Sequence, residues 1–333
     1  MTVHVDYVWV DGLDSPLVRS KTKIVAPTVN QQGEVEIQVG EWSFDGSSTS
    51  QATTEDSERL LKPHRLYQLS EQHYIALCEV CDPVSGEPDV TNHRAKLRAR
   101  IADTGDKGLW VGFEQEFFLT RDGRNVLWPE SGLPPQDSRY YCSSGGPIRH
   151  RKLIRELATI CNKAGISIVG YNTEVSPGQW EYQVFANEAL KAADDLWISR
   201  YILQLCAETY DIGIDWHPKP HDGWNGSGCH TNFSTTLMRE EGGEELFKRV
   251  MGVASEKHSL HIAKFGTLNE RRMTGTHETS SYDSFSWGVG SRNTSMRVPT
   301  QTAEQWKGYA EDRRPASNCD PYRVIDSVLE YVE

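Results

Sequence analysis

Side chains two apart along a β-strand point the same way. Three segments of this 333-residue chain use that rule to put polar, ligand-capable groups on one face and apolar groups on the other. In Val111–Leu119, Glu114 and Glu116 share a face while Phe113, Phe117 and Leu119 take the opposite one. Glu181 and Gln183 oppose Trp180, Tyr182 and Val184, and His230, Asn232 and Ser234 oppose Cys229, Thr231 and Phe233. Such segments need a sheet whose apolar face packs on helices. Glu174 and Glu181 flank a Pro177-Gly178 turn, which brings both onto one hairpin-like unit.

The rest of the chain divides around this sheet. Residues 1–86 read as β-rich: Val3, Val5, Tyr7 and Trp9 alternate with His4, Asp6 and Val8, Lys21–Val25 can return as a partner strand, and His73–Val80 is a further strand. The polar stretch Phe44–Gln51 has almost nothing to bury and reads as a surface loop, with a plain linker as the alternative. Asp82-Pro83 and Gly86-Glu87-Pro88 mark a boundary, so 87–333 forms a second unit. There, Asn92 caps a helix over His93–Asp103, and spacing of three and four predicts helices at Arg149–Ala164, Ala186–Tyr210 and Glu244–Ala263. Strands are expected at Leu109–Thr120, Ser167–Tyr171, Trp180–Val184, Gly228–Ser234 and Ser295–Val298.

Two glutamates side by side on a strand repel unless a cation lies between them. For Glu114 and Glu116 alone, a solvent-facing edge is the better explanation. A histidine with carboxylates on neighbouring strands is better explained by metal ligation. A donor set rich in oxygen with one imidazole suits Mg²⁺ or Mn²⁺, and about five carboxylates can hold two or three such ions. Arg271, Arg272, Arg292, Arg297, Arg313 and Arg314 crowd the last quarter of the chain, and guanidinium groups grip phosphates and carboxylates bidentately. Metals with arginines imply a phosphorylated anionic substrate, a nucleoside triphosphate foremost, although no GxxxxGK[ST] phosphate loop is present. A net charge of −12 argues against nucleic acid as a partner. No apolar run is long enough to span a membrane, and no signal peptide is visible at the start. Seven cysteines without framework spacing read as reduced thiols of a cytoplasmic protein.

Taken together, the segments Glu41-Trp42-Ser43-Phe44-Asp45-Gly46-Ser47-Ser48-Thr49, Gly112–Glu116, Tyr140-Tyr141-Cys142, Asn172–Glu181 and Gly226–Ser234 match a known family in order and spacing. So do Arg271–Gly275, His277–Ser281, Ser291-Arg292 and Glu311–Pro315. Along nearly its whole length the chain resembles glutamine synthetase of the short, type II class. Gly223 and Ser143-Ser144 depart from the family pattern without removing a catalytic group.

The resemblance implies an α+β fold: an N-terminal β-grasp domain, then a catalytic domain with a curved antiparallel sheet flanked by helices. It implies ATP-dependent ligation of ammonia to L-glutamate through γ-glutamyl phosphate. A ligase for a larger amine and a catalytically silent homologue are the alternatives. Glu116, Glu174 and Glu181 correspond to ligands of the metal near the glutamate carboxylate. Glu114, His230 and Glu311 correspond to ligands of the metal that bridges the nucleotide phosphates. Asn225, Gly226, Arg272 and Arg313 match positions that hold glutamate, and Arg292 and Arg297 those that stabilise the transferring phosphoryl group. Asn232, Ser234 and Tyr309 match positions near the nucleotide. Asp45, Tyr141 and Glu278 match the ammonium site, with Asp45 as base. The family expectation is a homo-decamer of two pentameric rings with shared active sites.

Overall fold

The computed structural model describes residues 2–29, 35–132, 134–146 and 148–333. Its first sheet comprises β1 (Val3–Val10), β2 (Val18–Val25), β5 (Trp42–Asp45), β6 (Glu58–Ser70) and β7 (His73–Cys81), in the spatial order β2-β1-β7-β6-β5. A short pair, β3 (Thr28–Val29) with β4 (Val35–Glu36), lies outside it. β1 runs parallel to β7, and its other partner, β2, is antiparallel. One face of the sheet closes over its own core of Val5, Tyr7, Trp9, Phe44, Leu61 and Val80. On the other face, Val8, Tyr67, Ile75 and Leu77 join the main core of the molecule. The alternation of His4 and Asp6 with apolar residues would suit a solvent-facing second face. It is covered instead, and Asp6 is buried there, accepting hydrogen bonds from Thr22 Oγ1 (2.6 Å) and Tyr201 Oη (3.0 Å).

The stretch Phe44–Gln51 is more ordered than a surface loop. Phe44 of β5 is buried in the core, and Gly46–Thr49 forms one 3₁₀ turn capped by Asp45. Thr49 and Gln51 are buried because their side chains satisfy one another, with Gln51 Nε2 also reaching Val10 O (3.2 Å) and Thr91 Oγ1 (3.0 Å). β6 escaped the sequence reading. Its charged residues and Pro63 mask the alternation, and the register shifts just after Pro63, where a proline is tolerated.

The second sheet holds β8 (Trp110–Arg121), β9 (Arg124–Asn125), β10 (Ser167–Thr173), β11 (Gln179–Ala186), β12 (Gly213–Asp215), β13 (Cys229–Ser234), β14 (Trp287–Val289), β15 (Met296–Val298) and β16 (Ala310–Asp312). Its main order is β10-β11-β8-β13-β16-β15-β14, with β9 and β12 both pairing with β8. The sheet is mixed, not wholly antiparallel as expected: β14 and β15 are parallel because residues 290–295 form an open connection carrying Arg292 and not a hairpin. Helices α1 (His93–Thr104), α2 (Arg151–Lys163), α3 (Ala189–Glu208), α4 (Thr236–Glu240), α5 (Glu244–Glu256), α6 (His258–Ile262), α7 (Asn269–Arg272), α8 (Thr300–Gln305) and α9 (Pro321–Val332) complete the chain. The single helix expected over Glu244–Ala263 breaks at Lys257, where ψ is 12°. α3 is buried on nearly every side because it contacts β8 and β11 as well as α2 and α9. Phe113, Phe117, Tyr182 and Phe233 form the apolar back of the second sheet and are fully enclosed. The opposite face carries the polar row.

Candidate functional site

The polar faces of the three segments meet in one surface. β8 is the middle strand: Glu116 lies opposite Glu181 of β11, and Glu114 lies between Gln183 of β11 and His230 of β13. Beyond β13, Asn232 pairs with Glu311 of β16, which pairs in turn with Arg297 of β15. The β10–β11 turn adds Glu174, held by Asn172 Nδ2 (2.9 Å) and the Val175 N–H (3.2 Å). Gly178 makes this turn possible: its φ is +74°, and a Cβ there would come within 2.3 Å of Val126 O.

Glu114, His230 and Glu311 present ligand atoms that all lie within 4.8 Å of one another. His230 Nδ1 is 3.3 Å from Glu114 and 3.7 Å from Glu311. Burial, reinforced by the neighbouring Arg313, holds His230 well below the ordinary imidazole range, so the ring is neutral and able to ligate. Glu116, Glu174 and Glu181 form the second group. Burial pushes all three carboxyls up, and neighbouring glutamates push them further: Glu174 on Glu116, Glu278 on Glu174, and Glu114 on Glu181. The Gly228 N–H, 2.8 Å from Glu116 Oε2, and the charge of Arg272 oppose the rise only in part. Enclosed carboxylates that repel one another fit hard divalent cations, which let them ionise together.

Glu114, Glu116, Glu174, Glu181 and His230 line a cavity of about 700 Å³ together with Tyr141, Asn225, Gly226, Arg272, Glu278, Arg292 and Arg313. Gly226 is fixed by space: a Cβ would lie 2.3 Å from Pro218 O and 2.7 Å from Arg272 Cγ. Arg272 is buried, with Nη2 on the carbonyls of Arg313 (3.0 Å), Arg314 (2.8 Å) and Pro315 (3.2 Å). It therefore braces the segment that carries Arg313. Arg313 and Arg297 each donate to Glu311 at 2.6 Å, and the Nε of each has no hydrogen-bond partner among the described residues. Two cations on one carboxylate, each with a buried N–H to offer, suit an anion of high charge. Glu278 lies at the rim with φ +60°, directly after His277 at +52°, and its carbonyl accepts from Arg313 Nη2 (3.2 Å). Two successive non-glycine residues in the left-handed region store strain.

Asn232, Ser234, Arg297, Tyr309 and Glu311 lie along the strands next to this cavity and do not line it. Asn232 Nδ2 reaches Glu114 Oε1 (2.8 Å), and Tyr309 is half exposed. Asp45 is not brought to the cavity of its own chain. It is fully exposed, and hydrogen bonds from the Ser47 hydroxyl (2.6 Å), the Ser47 N–H (3.0 Å) and the Ser48 hydroxyl (3.0 Å) hold its carboxyl below the usual range.

The structure adds residues that sequence reasoning passed over. Gln136 lines the cavity and exchanges two hydrogen bonds with Asn225, one to its N–H (2.7 Å) and one from its own Nε2 to the Asn225 side chain (2.9 Å). No periodicity could have revealed that pairing. At the far end of β13, the exposed ring of Trp110 lies opposite Ser234 in register. It carries the Arg239 guanidinium 4.1 Å from its centroid. An exposed tryptophan opening a strand was the available signal.

Comparison with known proteins agrees with this geometry. A sequence model described as glutamine synthetase, catalytic domain, matches residues 91–331. The chain is similar to the glutamine synthetase of Agaricus bisporus, with 41% identity over 98% of this chain and 92% of the relative. It is also similar to the mitochondrial glutamine synthetase 1 of Drosophila melanogaster, at 41% identity over 98% of this chain and 83% of the relative. For the chloroplastic glutamine synthetase of Zea mays the figures are 42% identity, 98% and 78%. An unbroken carboxylate face, ringed by arginines and carried on the matched region, thus has the same explanation as the sequence similarity: the chain belongs to the glutamine synthetase family.

Proposed function

We propose that the chain is a glutamate–ammonia ligase that forms glutamine, ADP and phosphate from L-glutamate, ammonia and ATP by way of γ-glutamyl phosphate. The observation that carries this reading is the convergence of Glu114, Glu116, Glu174, Glu181, His230 and Glu311 with Arg272, Arg292, Arg297 and Arg313 around one face of the second sheet. Glu116, Glu174 and Glu181 would hold one divalent cation, and Glu114, His230 and Glu311 another, Mg²⁺ or Mn²⁺ by the hardness of the donors. When bound, the ions neutralise phosphate charge and keep these carboxylates ionised.

Asn225, Gly226, Arg272 and Arg313 orient glutamate so that its γ-carboxylate faces the terminal phosphate of ATP. Arg292 and Arg297 stabilise the charge that spreads over the phosphoryl oxygens during transfer. Asn232, Ser234 and Tyr309 border the nucleotide, and Trp110 with Arg239 offers a flat surface for its base. Ammonium is captured as a cation by Asp45, Tyr141 and Glu278. Asp45, kept ionised by its serines, attracts it, and loss of a proton to Asp45 frees the lone pair that attacks the acyl phosphate. The strained Glu278 loop excludes water from that intermediate.

Residues 1–86 then form a β-grasp unit and 87–333 the catalytic unit. The exposed Asp45 turn, which does not line its own chain's cavity, supports a ring in which each small unit completes the neighbour's site, the expected assembly being a decamer of two pentamers. All seven cysteines are free thiols, and no helix of the described residues is long and apolar enough to cross a membrane. The free thiols support a cytoplasmic enzyme. The testing experiment is phosphate release from ATP, which must require glutamate, ammonium and Mg²⁺ together. Equal release without glutamate would overturn the proposal.

A further inference from the structure

Gln115 occupies a position where an apolar residue is expected. It lies between Glu114 and Glu116 on β8 but points to the back of the sheet, between the enclosed Phe113 and Phe117, and is itself 0% exposed. An amide there is costly unless every donor and acceptor is satisfied. Its Nε2 donates to Glu116 O (2.8 Å) and Ser317 O (3.1 Å). Its Oε1 accepts two bonds from one guanidinium, Arg200 Nε (2.8 Å) and Nη2 (2.6 Å). The amide is fully occupied.

Arg200 is the less usual partner. It is a buried cation on α3 that forms no ion pair with a carboxylate among the described residues. Besides Gln115 it grips Cys319 O (2.8 Å) and Ser317 O (3.1 Å), and it stacks on the rings of Trp197 and Trp216 at 4.6 and 5.4 Å. One guanidinium therefore joins the strand that carries Glu114 and Glu116 to the segment that follows Glu311 and Arg313. A buried cation without a counter-charge does not serve stability well, since well-packed apolar residues often replace such groups without loss. It also sits behind a face that must attract cations, where its charge opposes their binding. Its geometry, and not its charge, is what the site can use.

We propose that Arg200 is a positioning residue that sets the metal-binding face by fixing Gln115, and with it the directions of Glu114 and Glu116. The proposal rests on the reading of those glutamates as metal ligands. The two possible roles of Arg200 have opposite signs. Loss of a positioning group weakens metal binding, whereas loss of a charge that repels cations strengthens it.

The test is Mn²⁺ binding to the full chain without nucleotide, read from the electron paramagnetic resonance signal of free Mn²⁺, with melting curves run alongside. Arg200→Lys keeps the charge and loses the fork, and Gln115→Met removes the acceptor while leaving Arg200 its two carbonyls. Each variant should bind Mn²⁺ at least about tenfold more weakly than wild type, and the double variant no more weakly than the worse single one, because the two residues act as a unit. Should one variant fail to fold, the other carries the same prediction. Affinity unchanged or increased in a folded variant would overturn the role of Arg200 and leave the metal site standing. If the wild-type chain itself binds no Mn²⁺, the metal-site reading fails and this proposal falls with it.

Discussion

A carboxylate cluster built to receive cations should destabilise the protein that carries it. Glu181 and Glu116 are direct cross-strand partners, which sets their Cβ atoms roughly 5 Å apart and lets the carboxylates come as close. At an effective dielectric constant near 20, two unit charges at that separation repel by about 3 kcal/mol. Burial adds to this, and a carboxyl whose folded pKa is raised costs stability as pH climbs from its unfolded value through the folded one. Protonation relieves part of the strain, so Glu181→Gln should stabilise the metal-free protein by about 1–3 kcal/mol at pH 8, a rise of roughly 2–6 °C in melting temperature for a chain this large. The difference should close as pH falls toward 5, where the wild-type carboxyls take up protons. Divalent cations work against that difference: at a hundred times its dissociation constant, a bound ion adds about 2.7 kcal/mol. Wild type should gain that from Mg²⁺, and the variant should gain less than half of it. The assay is calorimetry with and without Mg²⁺ at pH 8 and pH 5. A variant that melts below wild type without metal, or gains as much from Mg²⁺, would refute the reasoning.

Other outcomes follow from the same geometry. Glu278→Ala should lose glutamine formation more than ATP cleavage, because water then reaches the acyl phosphate. Parallel assays of phosphate and glutamine decide it, and equal loss of both would remove the guarding role. Asp45→Ala and Arg313→Ala subunits should each be inactive, yet regain activity when dissociated and reassembled together. Confirmed co-assembly without activity would place Asp45 in its own chain's site. The α9 anchor should be acid-sensitive: Glu330 is drawn down to about 2, despite burial, by Lys257, His261 and Lys264, while burial pulls His261 down to about 4. Both shifts add stability at neutral pH that is lost on acidification, for His261 between about 6.5 and 4 and for Glu330 between about 4.5 and 2. Glu330→Gln should therefore cost about 1 kcal/mol at pH 7, discounted for partial exposure. That difference should shrink to nothing near pH 2 in denaturant titrations, and a pH-independent loss would point to packing instead.

The second sheet was legible because alternation is a local signal. Glu114/Glu116, Glu181/Gln183 and His230/Asn232 needed no long-range knowledge to be placed on shared faces, and the registers put them side by side. Where a neighbour covers both faces, alternation loses its meaning. Val8 alternates with Tyr7 and Trp9, in step with His4 and Asp6, yet it is fully buried, because that face of the small sheet packs into the main core. β6 was hidden by its own charges and by Pro63. The helix Pro321–Val332 was passed over although Asp320 caps it and Pro321 opens it, a start signal present in the sequence. In the site, the residue types of ligands and arginines were readable, but their partners were not. That Arg297 and Arg313 both turn onto Glu311 depends on strand pairing and side-chain direction that spacing does not give, and that Gln136 locks Asn225 depends on segments 89 residues apart meeting in space.

The central claim is that this face joins ATP to the γ-carboxylate of glutamate before ammonia attacks. Glutamate labelled with ¹⁸O in that carboxylate tests it directly, by mass spectrometry of the phosphate released during glutamine synthesis. If the carboxylate oxygen attacks phosphorus, one labelled oxygen leaves with each phosphate. Glutamine formed alongside phosphate that carries no label would contradict the account.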